Sequence, residues 1–152
     1  MSDTIIADTS CLIVLEKAGE LEVLEALFRE ITITPEIERE FQLPLPSWIK
    51  VRKVADTQRQ RILTLDLDPG EASAIALALE SESALLIIDE KKGRHTAKEL
   101  GIKTLGTLGC LLKAKEKGYY PQLFPILQKL QKAGFYLSDI LAKEILNMAG
   151  EG

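Results

Sequence analysis

The sequence predicts an α/β fold in three layers, with a central parallel sheet of four to five strands covered by helices on both faces. Three observations predict it. Short stretches rich in Ile and Leu alternate with segments of helical period. Several of the helical segments close on glycine. Two of the apolar stretches, "IIADTS" at 5–10 and "ALLIIDEKKGR" at 84–94, stop on an aspartate, Asp8 and Asp89. Strands of a parallel sheet are buried on both faces, so they read as apolar runs rather than as alternation.

The elements follow in order. "TIIA" at 4–7 reads as a strand. "TSCLIVLEKAG" reads as a helix, with Cys11, Leu12 and Leu15 on one face and Gly19 near its end. "LEVLEALF" puts Leu21, Leu24 and Phe28 in register for a second, short helix. "EITIT" at 30–34 is a strand. "TPEIEREF" carries a helix start, because Thr34 can cap and Pro35 suits the first helical position. The prolines of "QLPLPSW" break that helix. "WIKVRKV" reads as a strand or an extended crossing, and "RILTLDL" is equally ambiguous. "DPGEASAIALALES" is the clearest helix. Strand "ALLIID", helix "EKKGRHTAKELG", strand "IKTLG" and helix "TLGCLLKAKEKG" follow.

Two more helices are expected at about 121–133 and 138–149, within a single domain spanning 1–152. One carries Leu123, Ile126, Leu127 and Leu130 in a stripe, and the other Leu137, Leu141 and Ile145. Either stripe serves as cover for the core or as a surface for a second subunit or a protein partner.

Composition bounds the rest. A chain of 152 residues buries roughly two-thirds of its unfolded surface, enough for one core without staples. Apolar residues make up 46% and charged residues 28%, an ordinary soluble mix. Cys11 and Cys110 sit among apolar neighbours and read as reduced core residues. Ser2 and Asp3 precede a strand rather than a secretory leader, and no run approaches the ~20 apolar residues of a membrane span. The expected location is cytoplasmic. The net charge of −4 argues against bulk attraction to nucleic acid, though not against local basic residues. His95 is the sole histidine, so a pair of histidines for acid–base chemistry is excluded.

The acids carry the functional signal. Ligands of open parallel sheets sit outside the carboxyl ends of the strands, where Asp8 and Asp89 lie. Taken singly, each also suits the N-cap of the helix that follows. Glu71 stands third after the cap position Asp68, the arrangement of a capping box, yet it shares a stripe with Ile75, Ala78 and Leu79. Glu40 borders the buried stripe of its helix, with Glu36 as its rival. If the first strand neighbours the strand ending at Asp89, the two aspartates converge and the helices carrying Glu40 and Glu71 close over them. Such carboxylates repel at a cost of about 1 kcal/mol per pair at ~4 Å in water, and of more in a drier cleft. A hard divalent cation reverses the sign.

The ordered stretches "IIADTS", "TPEIEREF", "GEASAIALALE", "LLIIDEKKGR" and "LGIKTLGTLGCLLKAKEKG" resemble the PIN-domain nucleases. More narrowly, they resemble the prokaryotic branch related to VapC-like toxins of toxin–antitoxin pairs. The likeness runs from Ile5 to the "AGE" at 149–151. Asp8 with Thr9 and Ser10, Pro35 with Glu40, Glu71 and Asp89 match the family's motifs. Two positions depart: Ile87 stands where a hydroxyl residue is frequent, and Glu71 where aspartate is.

The resemblance implies a metal-dependent ribonuclease. Asp8, Glu40, Glu71 and Asp89 would hold Mg2+ or Mn2+ as catalytic groups, activating water for in-line displacement of the ribose 3′ oxygen. Thr9 and Ser10 would orient Asp8 or touch phosphate, and Lys91, Lys92 and Arg94 would meet RNA phosphates at the rim. It further implies a homodimer and a small antitoxin partner. Two alternatives stand beside it. One is a catalytically inactive PIN-fold module for binding or dimerisation. The other is a Mg2+-binding receiver-type domain, which would want a second acid beside Asp8, where Ala7 stands.

Overall fold

Ile6 and Ala7 are wholly buried, and the short strand that carries them needs a partner on each side to satisfy its backbone. In the computed structural model, which describes residues 3–152, it has both. Residues 1 and 2 of the expected domain lie outside the described residues. The strands are β1 (Thr4–Ala7), β2 (Ile31–Ile33), β3 (Ile49–Val51), β4 (Ala84–Ile87) and β5 (Lys103–Leu105). They form one parallel sheet in the order β3-β2-β1-β4-β5. This is the expected three-layer fold, with five strands.

The helices are α1 (Thr9–Lys17), α2 (Glu22–Phe28), α3 (Pro35–Phe41), α4 (Thr57–Leu63), α5 (Pro69–Glu80), α6 (Lys91–Glu99), α7 (Thr107–Glu116), α8 (Phe124–Lys132) and α9 (Asp139–Met148). None of the described helices is long and apolar enough to cross a membrane.

The register decides where the site lies. From β1 the chain winds outward through β2 and β3, then crosses back so that β4 pairs with β1, from Thr4↔Ala84 to Ala7↔Ile87. The winding direction therefore switches between β1 and β4, where open α/β sheets leave a crevice beyond the strand ends. The neighbour relation assumed for the two aspartate-ended strands holds.

Helix α5 packs on β1 and β4, with α3, α4 and α6 against it. It is buried continuously from Gly70 to Ala78, which its many alanines permit because small side chains let backbones approach. Its capping box forms: Asp68 accepts from the Glu71 amide at 2.8 Å, and Glu71 accepts from the Asp68 amide at 3.3 Å. Thr34 caps α3 by accepting from the Ile37 amide at 3.2 Å.

"RILTLDL" is neither strand nor crossing; its first residues end α4. Asp56 starts that helix by accepting from the Arg59 amide at 3.0 Å. No residue of α4 is buried, so it shows no apolar stripe to read. In the tail, Leu123, Ile126, Leu127, Leu130, Leu137 and Ile145 are buried, while Ile140 and Met148 remain exposed. Cys11 and Cys110 are both buried and free.

Candidate active site

Asp8 leaves β1 with its amide still in the ladder, donating to the Ile87 carbonyl at 2.9 Å. It occupies the N-cap position of α1, but its side chain makes no capping bond. Asp89 does not cap the helix after it either. Glu90 does so, accepting from the Gly93 amide at 2.7 Å. Neither aspartate makes a side-chain capping bond to the helix that follows it, so the capping reading of both is overturned.

Asp89 turns to α7 instead. Its Oδ1 accepts from the Thr107 amide at 2.8 Å and its Oδ2 from the Thr107 hydroxyl at 2.5 Å. The N-cap of α7 is Gly106, which has no side chain to cap with. A Cβ at that position would stand 3.0 Å from Asp89 Oδ1. Glycine thus opens the gap through which a carboxylate from the neighbouring strand caps the helix.

Glu40, in the last turn of α3, accepts from the Thr9 hydroxyl of α1. A Cβ at Gly70 would collide with the Glu40 carboxylate, so glycine there makes its room. The rival, Glu36, accepts from the Gln60 side chain instead. Glu71 has a buried stem, and its carboxyl reaches the same pocket as the others.

These side chains meet in one place. Asp8, Glu40, Glu71 and Asp89 all line a pocket of about 630 Å³ beyond the ends of β1 and β4. Thr9 and Ser10 line it too. Burial pushes the Asp8 carboxyl up to about 7, against the Thr9 amide and with help from the charges of Asp68, Glu40 and Asp89. Glu71 is likewise pushed up to about 7, first by burial and then by Asp68. Among the described residues, no lysine, arginine or histidine forms an ion pair with any of them.

In kind, this donor set fits a hard divalent ion: it is all oxygen, rich in carboxylate and short of positive charge. It is not a closed cage. Among the described residues, no group of three or more His, Cys, Asp or Glu side chains is placed to hold one ion. Glu40 is held by Thr9, Asp89 by Thr107 and Glu71 by the Asp68 amide. Glu40 and Glu71 each keep a second carboxylate oxygen outside these bonds, whereas both oxygens of Asp89 are engaged.

The basic candidates sit apart. Lys91 and Lys92 are exposed and do not line the pocket. Arg94 borders an adjoining groove of about 460 Å³ that also includes Asp89. His95 is exposed and pairs with Glu99 at 2.9 Å, away from the lining. Among the lining residues that the sequence reading did not name for the site are Asp68, Glu90, Phe135 and Tyr136. Asp68 was legible only as a cap. Glu90 adjoins Asp89, and that adjacency was the available signal. Phe135 and Tyr136 follow the turn at Gly134, where φ is +99°, and no local pattern marks them.

A family model described as a PIN domain matches residues 4–151. A comparison with curated proteins finds no match.

Proposed function

The chain belongs to the PIN-domain family, whose members are in general nucleases, and we propose that it is a metal-dependent endoribonuclease of the VapC-like branch, the toxin of a toxin–antitoxin pair. The observation that carries this reading is the convergence of Asp8, Glu40, Glu71 and Asp89, from four separate segments, on one pocket at the switch point of the sheet.

Asp8 and Asp89 are the primary ligands of Mg2+ or Mn2+ in this reading, with Glu71 and Glu40 binding directly or through water. When bound, the ion supplies Lewis acidity and an activated water. The chain's own groups do the rest. Without a cation, the crowded carboxylates repel an approaching phosphodiester, so substrate entry depends on loading. Thr9 holds Glu40 and Thr107 holds Asp89 until then. Lys91, Lys92 and Arg94 meet phosphates outside the pocket, and Ser10 meets them at its edge. Phe135 and Tyr136 offer faces on which unpaired bases stack.

The test is cleavage of single-stranded and structured RNA. Activity is expected with Mg2+ or Mn2+, is abolished by EDTA, and falls about a thousandfold in Asp8→Asn, the scale of several kcal/mol that metal catalysis supplies. Undiminished cleavage by that variant, or cleavage in EDTA, overturns the reading.

A second reading, a binding module without activity, is favoured by the parked carboxylates and by Ile87, wholly buried where a hydroxyl is frequent among relatives. A wild-type protein inert with every metal, and an Asp8→Asn variant that keeps its partner and its stability, would establish it. Within the nuclease reading, the exposed Ile140 and Met148 of α9 are the self-association face of a cytoplasmic homodimer, and a small antitoxin is the inhibitor.

A further inference from the structure

A second concave site runs from the starts of β1 and β4 past Thr32 of β2 to Arg52, just beyond the end of β3. It encloses about 780 Å³ and shares no lining residue with that pocket. The volume falls within the ~300–1,000 Å³ of small-molecule sites. Its charge is the reverse of what a chain with net charge −4 leads one to expect. Arg29, Arg52 and Lys113 all line it, brought from the end of α2, the end of β3 and the middle of α7.

Among the described residues, none of these three cations forms an ion pair. Two acids share the lining, Asp3 and Glu30. Asp3 is already matched, because Lys103 donates to its two oxygens at 3.0 and 2.9 Å and the Ser83 hydroxyl donates to it as well. Glu30 alone is left to set against three positive charges. The site also has an apolar wall, with Leu27 and Phe28 packed partly on the core. Thr32, only 4% exposed, lines it too, so the site reaches down to the sheet.

Arg29, Arg52 and Lys113 are exposed and free of ion pairs among the described residues, so their charge is available to an anion that enters the site. The guanidinium fork matches phosphate oxygens in pairs, while lysine adds a point charge. An aromatic and aliphatic wall beside such charges suits a ring attached to the phosphate. We propose that Arg29, Arg52 and Lys113 form a binding site for a phosphorylated nucleoside, either a free nucleotide or the 5′-phosphorylated end of an RNA strand.

Calorimetric titration in EDTA tests it, since no metal is then present to bridge phosphate to the acidic pocket. The probes are adenosine 5′-diphosphate, adenosine, a 5′-phosphorylated tetraribonucleotide and a glutamate-rich peptide. The diphosphate or the tetranucleotide is expected to saturate one site, and the tighter of the two names the source. Adenosine should bind about tenfold more weakly or worse, and affinity should drop steeply with salt.

Arg52→Ala and Lys113→Ala are each expected to lose about tenfold, the scale of one charge-assisted hydrogen bond, while Asp8→Asn binds as wild type does. Melting curves confirm that the variants fold, and if Arg52→Ala does not, Lys113→Ala decides. No binding of either phosphorylated probe at millimolar concentration, unchanged affinity in the variants, or tighter binding of the acidic peptide overturns the proposal. Because the measurement is made without metal and without cleavage, its outcome is independent of whether the chain is a nuclease.

Discussion

Carboxylates gather at two places in this molecule under opposite conditions. In the tail, Glu151 accepts from Lys115 Nζ and the Leu123 amide, both at 2.7 Å, and from the Phe124 amide at 3.1 Å. Nearby, Glu20 accepts from the Tyr120 hydroxyl at 2.7 Å and from Lys129 Nζ at 3.0 Å. Every one of these bonds ties one element to another. Glu151 in particular caps α8, whose own N-cap, Leu123, supplies no side-chain bond. Burial alone would raise the Glu151 carboxyl, yet the amides and Lys115 together hold it below its ordinary value.

In the pocket, Asp8, Glu40, Glu71 and Asp89 have amides, hydroxyls and one another, and no cation. Asp8 and Glu71 are pushed up rather than down. The same chemical group is an anchor where positive charge is supplied and a strain where it is withheld. A crevice lined with uncompensated charge at a topological switch point is where a ligand of opposite sign is expected.

The largest effect that would break this contrast is at the anchor. Glu151→Ala removes a charged acceptor from a lysine and two amides, and is expected to cost about 3 kcal/mol, roughly 6–12 °C in a melting scan. A silent substitution would show that the tail does not depend on it.

Next comes pH. In EDTA the folded chain keeps protons on Asp8 and Glu71 up to about pH 7, whereas the unfolded chain releases them near 3.8 and 4.5. The folded state therefore binds more protons across that interval, so stability falls as pH rises from about 4 toward 7 and levels off above it. Solvent reaching both carboxyls screens most of this effect, leaving an expected loss of about 2 kcal/mol, and saturating Mg2+ should restore most of it at pH 8. Stability that rises over this range would remove the claim of crowding.

The smallest effect sharpens the comparison to one residue. Asp8→Asn should raise stability in EDTA by about 1 kcal/mol at pH 8 and flatten part of the pH slope. Were Asp8 merely a cap, the change would be nearly neutral, since asparagine caps as well as aspartate does.

Much of this was legible in the sequence because it depends on local grammar. The apolar run before Asp8, the Thr34–Pro35 start and the 68–71 capping box each declare themselves within a few residues. The convergence of Asp8 and Asp89 needed one assumption about winding, which the β1–β4 pairing meets. What stayed hidden depends on distant packing or on its absence. Helix α4 buries nothing, so it has no periodicity. Phe135 and Tyr136 reach the pocket only through the docking of α8 on α1, and no local window contains that. The hold of Thr107 on Asp89 spans 18 positions and passes through a glycine whose role is to be absent.

That hold has a consequence for how the molecule switches state. Any ligand that takes both oxygens of Asp89 takes them from Thr107, and so strips the first turn of α7 of its only carboxylate. Helix α7 packs against both α2 and α9. Loading the crevice and uncapping a helix that packs on α2 and α9 are then a single event, and occupancy becomes something a distant surface can sense.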